Sequence, residues 1–469
     1  MSKSKELVKN TSIIFIGTFS TRLLSFLLLP LYTGFLTTNE YGVIDLFTTA
    51  VALISTLISF QISQGLFRYL VTNRDDEDKK KRIITSSFLF IVLISILYTI
   101  VFTFISPIIK IEYKIFLVSN VISNIIYEFL LQLSRGIGNN KDYSISGIVS
   151  AFTTIIFNII LIVFLKFGAM GMLLGTFIGS FSGVAFLYIK LKFSRYLSIS
   201  SFDLDVLKVI LKYSIPLVPN QLSWWIFESS DRIIVSFVLG LSFTGILSVS
   251  YKFSSAFIML YNIFNLSWRE SVILHIDDLD ATDYFNKTCN TVLSLFSSIS
   301  LGMIAFMPIV FKIMVNNNYY NAYNLIPITI VAAIFQIISG LLSAVYVAKN
   351  DSKSIAKSSI FSAIVNIIVH VSLIKFIGLY AAVVSTLVSY FALAIYRIYD
   401  VNKKYIKVKI KINNIIFFSI SFLIVLICYY TKITKFELLA MTFSIIYFFT
   451  VNSKSFSFIN KMIRKKISK

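Results

Sequence analysis

Hydrophobic residues in this sequence occur in long runs that short polar segments separate. Most runs cover about 20 to 26 residues, enough for an α-helix to cross about 30 Å of hydrocarbon. The short alternating segments of a membrane β-barrel are missing. The pattern therefore predicts an all-α membrane protein with about fourteen transmembrane helices. The predicted spans are residues 11–36, 41–66, 84–107, 112–134, 143–165, 168–189, 214–239, 244–266, 288–311, 324–347, 358–374, 379–399, 412–430 and 436–452.

Composition supports this class. Of the 469 residues, 57% are hydrophobic and 14% are charged, and the mean hydropathy is +0.83, whereas soluble domains carry about 25% charged residues. The two cysteines, Cys289 and Cys428, lie in or beside apolar runs without metal-ligand spacing. A disulfide framework is therefore not expected, and no run of sequence is left for a soluble domain of any size.

The distribution of basic residues predicts the orientation. With the amino terminus inside the cell, 33 of the 43 Lys and Arg residues fall on cytoplasmic segments and seven on outer connections. This asymmetry follows the positive-inside rule and places both termini in the cytoplasm. The net charge of +21 then fits anionic lipid head groups rather than nucleic acid. Twelve spans would preserve the same asymmetry, and 436–452 is the weakest of the fourteen.

A weak internal repeat predicts two lobes. Three short segments of the first half recur some 208 to 210 positions later, and chance similarity between apolar helices is the alternative. The paired segments are 141–142 with 349–351, 158–160 with 366–368, and 165–168 with 374–378. Six spans per repeat give two lobes of the same orientation, with a pathway between them. The predicted organisation is a lobe at 1–189, a cytoplasmic linker at 190–213, a second lobe at 214–400, and two extra spans with a basic tail at 401–469.

Several charged residues lie within the predicted spans. An ionisable group at the centre of a bilayer costs about 2.5–3.5 kcal/mol on insertion scales, and such groups usually face a protein interior or a wet cavity. Arg22 lies in span one, Asp45 on a polar stripe with Thr49 in span two, Glu128 in span four and Lys252 in span eight. Together they predict a polar seam along several helices.

Span seven has the highest density of polar and aromatic residues. Gln221, Trp225 and Arg232 follow helical spacing on one face. Pro216 and Pro219 predict a bend, which membrane helices tolerate where other groups satisfy the freed backbone. Such a helix suits recognition of a sugar or a phosphate. Its candidate residues are Asn220, Gln221, Trp224, Trp225, Glu228, Asp231 and Arg232.

A structural interpretation of the same residues stays open. Glu228 and Arg232, four residues apart, are spaced to pair within the helix. Asp231 is placed to pair with Lys252 across a short turn. Trp224 and Trp225 are large enough to serve packing alone.

No catalytic, metal or cofactor motif is recognisable. His275 and His370 are far apart and have no spaced ligand partners, and the acidic run 277–280 is interpreted as a solvated loop. A phosphate-binding GxxxxGK[ST] loop is missing, which argues against an ATP-driven pump acting alone. The sequence therefore predicts no enzyme, no cofactor and no metal, and transport powered by an ion gradient or the membrane potential.

Three segments resemble polysaccharide exporters of the Wzx type. They are Arg22 with 28–32 and Glu40-Tyr41-Gly42; Arg135-Gly136 with Gly138 and Asn139-Asn140; and 213–216 through Pro219-Asn220 to Ser230-Asp231-Arg232 and Gly240. The resemblance covers essentially the whole chain and is strongest around span seven. This family belongs to the multidrug/oligosaccharidyl-lipid/polysaccharide exporter superfamily.

The resemblance implies a function. Its members flip an undecaprenyl-pyrophosphate-linked oligosaccharide across a bacterial or archaeal cytoplasmic membrane, for O-antigen, capsule or exopolysaccharide, and a proton or sodium ion is the expected coupling partner. The polysaccharide polymerase machinery is a further expected partner. As hypotheses, Arg22, Arg232 and Lys252 attract the pyrophosphate and Trp224, Trp225, Asn220 and Gln221 contact the sugar. Asp45, Glu128 or Asp231 would carry the coupling ion.

Other functions compete with this one. A drug/cation antiporter of the same superfamily would need a carboxylate in the first lobe, where span one offers Arg22 instead. A lipid II flippase is compatible with every feature above. A membrane enzyme or a scaffold for polysaccharide assembly is the alternative from another class.

Overall fold

The computed structural model describes Leu23 and residues 26–107 and 113–453. This part of the chain is α-helical and contains no strand. Twelve of its helices are long and apolar enough to cross a membrane. The chain divides into two compact units, Met1–Ile233 and Ile234–Lys469, and the predicted linker at 190–213 lies within the first. The predicted lobe boundaries stay a prediction.

Nine helices begin in the first unit, within its described residues. They are α1 (Leu29–Phe35), α2 (Thr38–Ile58), α3 (Ile62–Thr72), α4 (Glu77–Ile105), α5 (Lys114–Gly136), α6 (Asn140–Asn158), α7 (Gly168–Lys190), α8 (Leu204–Ser214) and α9 (Leu217–Val238). A π-helical segment, Ile159–Phe164, extends α6, and short 3₁₀ turns lie at Phe193–Tyr196 and Ile199–Ser201.

Seven helices begin in the described residues of the second unit. They are α10 (Leu241–His275), α11 (Ala281–Met314), α12 (Asn321–Ala348), α13 (Ser352–Ile377), α14 (Tyr380–Lys404), α15 (Ile412–Thr431) and α16 (Thr434–Val451). A 3₁₀ turn at Asn317–Tyr319 joins α11 to α12.

The predicted all-α membrane fold is confirmed, and the count of fourteen spans is approximate. Each predicted span from the third onward coincides with a helix, but α9 is not among the twelve apolar ones. The reason is its charge, because every 18-residue window of α9 contains Glu228, Asp231 and Arg232. Of the first predicted span, most residues, including Arg22, lie outside the described part of the chain.

The second predicted span, 41–66, is two helices rather than one. Phe60 and Gln61 have φ angles of 48° and 54°, a left-handed conformation that ends α2 and starts α3 in a new direction. Neither residue is a glycine or a proline, so the sequence carries no ordinary signal for this break.

The prolines of span seven also act differently from expectation. Pro216 lies in the turn between α8 and α9, and Pro219 lies in the first turn of α9. The first N–H groups of a helix have no intrahelical acceptor, so proline costs little there. The two prolines therefore set where α9 begins, instead of bending it in the middle.

Close packing in the first unit depends on glycines of α7. A Cβ on Gly175 would lie 2.1 Å from the side-chain oxygen of Asn158, and one on Gly179 would lie 1.8 Å from the hydroxyl of Thr154. Both contacts are impossible distances, so only glycine lets α7 approach α6. Small residues at such interfaces are the usual means by which membrane helices come close together.

The linker at 190–213 is ordered against the first unit. The Asp203 N–H donates to the Ser86 hydroxyl at 2.9 Å, and the Thr85 hydroxyl donates to the Tyr196 carbonyl at 2.8 Å. Asp203 caps α8 by accepting from the Val206 N–H, and this hydrogen bond holds the pKa of Asp203 below its usual value. The linker therefore has a fixed position on α3 and α4, which its polar composition alone did not predict.

The second unit is centred on α12, the most buried of its helices. Its core includes Arg397 of α14, which is 4% exposed. The guanidinium donates to the Ser339 carbonyl at 2.9 Å and to the hydroxyls of Ser358 and Ser359 at 3.0 and 3.2 Å. Arg397 thus joins α12, α13 and α14.

Candidate substrate and ion site

An ion pair links α2 to α9 within the first unit. The Nε of Arg232 lies 2.8 Å from Oδ2 of Asp45, and these side chains are 24% and 18% exposed. Opposite charges at this distance attract by about 6 kcal/mol at an effective dielectric constant near 20.

A second contact joins the same two helices. The indole N–H of Trp225 donates to the backbone carbonyl of Thr49 at 3.0 Å. Asp45 and Thr49 are one turn apart on α2, and Trp225 and Arg232 are seven residues apart on α9. Because the order of partners reverses between the helices, α2 and α9 run antiparallel. Two long side chains of α9 therefore reach the polar stripe of α2.

This arrangement has two chemical capacities. A guanidinium presents up to five N–H donors in a planar fork that matches phosphate and carboxylate groups, and Arg232 uses part of that capacity on Asp45. Aromatic faces bind apolar and cationic surfaces, and Trp225 is half-buried with its indole fixed by Thr49. The pair suits an anionic ligand with a bulky neighbouring group.

The other predicted residues of α9 are divided between surface and interior. Asn220 and Gln221 are exposed in the first turns of the helix, whereas Asp231 is 6% exposed. The side chains of Trp224 and Glu228 lie outside the described part of the structure, so the proposed pairing of Glu228 with Arg232 stays a prediction.

Glu128 belongs to a separate polar chain on α5. The Gln132 amide donates to Glu128 at 2.8 Å, and the Arg135 guanidinium donates to the Gln132 oxygen at 3.2 Å. Arg135 also lies 4.7 Å from the ring centre of Phe67 and 5.6 Å from that of Tyr143. Gln132 thus bridges the Glu128 carboxylate and the Arg135 guanidinium, which are seven residues apart, through one hydrogen bond to each.

The remaining predicted cations are Lys252 and Arg22. Lys252 lies on α10 in the second unit and is half-buried. Arg22 falls outside the described residues. The structure therefore brings together Asp45, Trp225 and Arg232 of the ten predicted site residues.

Several residues that carried the family resemblance have structural roles. Glu40 forms a reciprocal capping box with Thr37 at the start of α2 and accepts from the Ala169 N–H at 3.3 Å. A Cβ on Gly168 would lie 2.0 Å from the same carboxylate, and Gly168 has a φ of 53°. Glycine is therefore required where α7 begins.

Segment 135–140, the second of the segments that resemble the Wzx-type exporters, is a turn held in place by the Arg74 side chain. Arg74 donates to the carbonyls of Gly136 and Arg135 at 2.7 and 3.1 Å. Asn139 then caps α6 by accepting from the Asp142 N–H at 3.2 Å. These residues hold the turn between two spans, and a direct role in a ligand site is not needed to explain them.

One buried polar contact was not predicted. The Asn158 amide donates to the Tyr32 hydroxyl at 2.8 Å, and Asn158 is fully buried where α6 passes into its π-helical extension. Its side-chain oxygen has no hydrogen-bond donor. The only sequence signal was the repeated Asn-Ile-Ile motif at 158–160 and 366–368.

The described residues contain no group of three or more His, Cys, Asp or Glu side chains that could hold a metal ion. In the acidic run 277–280, Asp277 pairs with Lys349, and Asp278 lies 2.7 Å from Nδ1 of His275. These pairs agree with the interpretation of an acidic surface loop.

Fold and site together define a multi-pass α-helical membrane protein with charged contacts between its helices. The chain is similar to the structure of the lipid II flippase MurJ in an inward closed conformation, with a TM-score of 0.72 and 18% identity, covering 95% of this chain and 99% of that one. It is similar to an inward-facing multidrug resistance MATE transporter of the MOP superfamily, with a TM-score of 0.66 and 13% identity over 81% and 95% of the two chains. These likenesses establish the fold.

An outward-facing MATE transporter aligns with a TM-score of 0.57 and 14% identity, covering 83% of this chain and 93% of that one. No match was found among curated protein sequences. The family model described as "Polysaccharide biosynthesis protein" matches residues 7–268, more than half of the chain. The chain belongs to the polysaccharide biosynthesis protein family.

Proposed function

We propose that this protein is a flippase that moves an undecaprenyl-pyrophosphate-linked oligosaccharide from the cytoplasmic to the outer leaflet, for O-antigen, capsule or exopolysaccharide assembly. The observation that carries the proposal is the ion pair between Asp45 and Arg232, beside Trp225, in membrane helices of a polysaccharide biosynthesis family member. Ion-coupled alternating access would drive the movement.

The chemistry of the substrate fits these residues. A pyrophosphate is a multiply charged anion, and arginine binds phosphate through parallel charge-assisted hydrogen bonds that are strong where water is scarce. Arg232 would hold the pyrophosphate and Trp225 the first sugar, with Asn220, Gln221 and Trp224 as further sugar contacts. Arg22 and Lys252 would add positive charge along the path.

A lipid II flippase is the second candidate. The similarity to MurJ over 95% of this chain favours it, because lipid II and an oligosaccharide precursor share a polyprenyl pyrophosphate group. Family membership favours the polysaccharide precursor.

Leaflet-resolved labelling of polyprenyl-linked sugars in cells with and without the protein tests both candidates. On the proposal, depletion makes the oligosaccharide precursor accumulate on the cytoplasmic side while lipid II keeps its distribution. Accumulation of lipid II instead would favour the second candidate. Unchanged distributions of both lipids would contradict both.

A further inference from the structure

We infer that Arg135 forms a loading site at the end of α5, where the pyrophosphate head group of the substrate first binds from the cytoplasmic leaflet. The inference rests on the proposed function and adds a binding step before the head group reaches Arg232. Arg135 lies in the last turn of α5, whereas Asp45, the partner of Arg232, lies near the start of α2. On the predicted topology both helices run towards the cytoplasm, so the two sites lie at different depths in the membrane.

Aromatic rings fix the orientation of the Arg135 guanidinium. Its central carbon lies 4.7 Å from the ring centre of Phe67 on α3 and 5.6 Å from that of Tyr143 on α6. Cation–π contacts engage the flat face of a guanidinium and leave the N–H groups at its edge for other partners. The rings therefore hold the group in place without neutralising its charge.

Most donors of this guanidinium have no acceptor in the part of the chain that the structure describes. Its Nη1 donates to the Gln132 side-chain oxygen at 3.2 Å, and among the described residues this is its one hydrogen bond. A guanidinium has five N–H donors. The edge formed by Nε and Nη2 is therefore left for two parallel hydrogen bonds to one phosphate, an arrangement in which arginine binds phosphate strongly.

The carboxylates nearest to Arg135 along the chain have other partners. Glu128 accepts from the Gln132 amide at 2.8 Å, and Asp142 accepts from the Asn139 amide at 2.6 Å. Within the described residues, no carboxylate lies at ion-pair distance from Arg135, which is half-buried. A cation that is partly withdrawn from water without a counter-ion carries a desolvation cost, and an anionic ligand offsets that cost.

The start of α6 adds positive potential beside this cation. Tyr143, whose ring contacts the guanidinium, lies in the first turn of this 19-residue helix. The amino end of a helix carries a partial positive charge and N–H groups that lack intrahelical acceptors. Lys141 in the same turn is exposed. A multiply charged pyrophosphate therefore meets positive groups from α5 and α6 together.

The turn from 135 to 140 does not depend on this guanidinium. Arg74 donates to the backbone carbonyls of Gly136 and Arg135, and Asn139 caps α6. The Arg135 side chain is therefore free to serve a ligand, and its substitution should leave the turn intact.

A phospholipid and the lipid-linked substrate both present phosphate at the membrane surface. A phospholipid offers one phosphodiester, whereas a pyrophosphate has two adjacent phosphate groups and more negative charge. The pyrophosphate can therefore engage the Nε and Nη2 edge of Arg135 with one phosphate and the start of α6 with the other. This match favours the substrate over ordinary lipid as the occupant.

Chemical modification of the wild-type protein in phosphatidylcholine nanodiscs tests the site. Phenylglyoxal reacts with accessible arginine side chains, and peptide mass spectrometry gives the rate at each arginine. We expect farnesyl pyrophosphate to slow modification of Arg135 about tenfold, since about a tenth of the sites stay free near ten times the Kd. The control Arg195, exposed in the turn Phe193–Tyr196, should keep its rate. An unchanged rate at Arg135 overturns the inference.

Two further arms separate the sources of the phosphate. Phosphatidylglycerol nanodiscs without probe should leave Arg135 as reactive as phosphatidylcholine does, and inorganic pyrophosphate should protect less than the farnesyl ester, which the bilayer concentrates. Protection by phosphatidylglycerol alone would assign the site to ordinary anionic lipid. Equal protection by inorganic pyrophosphate would make it a general anion site. Either result overturns the loading role.

Binding stoichiometry gives a second readout that does not depend on the reactivity of any arginine. Calorimetric titration should show close to two molecules of farnesyl pyrophosphate per wild-type chain and close to one in Arg135→Met. Methionine keeps an apolar stem for the two rings but has no N–H donor. Arg195→Met is the matched control and should bind as many as the wild type. Wild-type stoichiometry in folded Arg135→Met overturns the inference.

Arg232→Met separates this inference from the proposed function. If Arg232→Met loses one bound probe and Arg135→Met loses none, the proposed pyrophosphate site stands and only the loading site is wrong. If Arg135→Met loses one and Arg232→Met loses none, the loading site stands and the role proposed for Arg232 is wrong. If the wild type binds no probe, both fail.

Discussion

Arg232 is a cation on α9, a predicted membrane span, and it has a carboxylate partner on α2 and an aromatic neighbour on its own helix face. Such a residue is costly to keep in a bilayer, and the ion pair with Asp45 reduces that cost. At this scale the proposal depends on the shape of the guanidinium as much as on its charge.

Substitution of Arg232 separates charge from shape. Arg232→Lys keeps a cation for Asp45 but loses the planar fork, so we expect export in complemented cells to fall about tenfold, as for loss of one charge-assisted hydrogen bond of about 1.5 kcal/mol. Arg232→Met should abolish export. Surface polysaccharide, normalised to protein level in the membrane, measures both.

Lys208→Met is the matched control, since Lys208 is 66% exposed on α8 and pairs with the exposed Asp205. Normal export by Arg232→Met at wild-type protein level would remove Arg232 from the substrate site.

Asp351 gives a pH-dependent prediction outside the membrane spans. It caps α13, and hydrogen bonds from Ser354, together with the Tyr405 hydroxyl and the Lys404 charge, lower the pKa of Asp351 to about 2. A carboxyl whose pKa is lower in the folded state stabilises the fold above its unfolded pKa. This contribution is therefore present at neutral pH and is lost as pH falls from about 4 to about 2.

Thermal unfolding in detergent measures this effect. Asp351→Ala should lower the free energy of unfolding by about 1 kcal/mol at neutral pH because the cap is lost. Asp351→Asn keeps a capping oxygen and loses the charge, so its difference from wild type should shrink as the pH approaches 2. A difference that stays constant with pH would contradict the charge contribution.

The individual site residues were visible in the sequence, but their pairing was not. Helical spacing placed Asp45 with Thr49 on α2 and Trp225 with Arg232 on α9, and both facts agree with the structure. Which residue meets which depends on how the two helices pack, and α2 and α9 are about 180 residues apart in the chain. Local sequence patterns carry no such information.

At the scale of elements, hydrophobic runs predicted the helices well because membrane spans must satisfy their own backbone hydrogen bonds. Two features of the helices were not predicted from the sequence. The left-handed break at Phe60 and Gln61 involves residues that usually continue a helix. The amphipathic helix α8 has only 11 residues and carries Asp205, Lys208 and Lys212, so the linker was interpreted only as a connection.

The docking of α8 can be tested at Gly65 of α3. A Cβ there would lie 2.3 Å from the Ser214 hydroxyl, 2.7 Å from the Ile210 side chain and 3.1 Å from the Ile210 carbonyl. Overpacking of this kind costs about 1–3 kcal/mol, so Gly65→Ala should shift α8 away from α3 and raise tryptic cleavage at Lys208 and Lys212 about tenfold.

Gly302→Ala on α11 is the control, because a Cβ at Gly302 meets nothing within 4 Å. Cleavage sites mapped by mass spectrometry in detergent decide the result. Equal cleavage in Gly65→Ala and Gly302→Ala would show that α8 does not depend on the close approach at Gly65.

At the scale of the whole molecule, composition and hydropathy were sufficient for the fold class, since few other folds accommodate so apolar a chain. The orientation is still a prediction from the positions of Lys and Arg. It requires the outer connections near Lys166 and Asn317 to face one side of the membrane and the linker near Ser200 to face the other.

Single cysteines in a Cys289→Ala, Cys428→Ala background test the orientation. Lys166, Ser200 and Asn317 are all exposed. An impermeant maleimide should label Lys166→Cys and Asn317→Cys in intact cells, and Ser200→Cys only after permeabilisation. The reverse pattern would invert the topology and the proposed direction of transport.

The central claim is that this chain itself moves a polyprenyl-pyrophosphate-linked oligosaccharide between leaflets. Reconstitution of the purified protein into liposomes that contain such a lipid, with a membrane-impermeant probe of the sugar outside, tests it most directly. The account predicts that wild type exposes the inner-leaflet pool to the probe faster than protein-free liposomes, while Arg232→Met matches the protein-free rate. Equal rates for wild type and protein-free liposomes, with an ion gradient imposed in either direction, would contradict it.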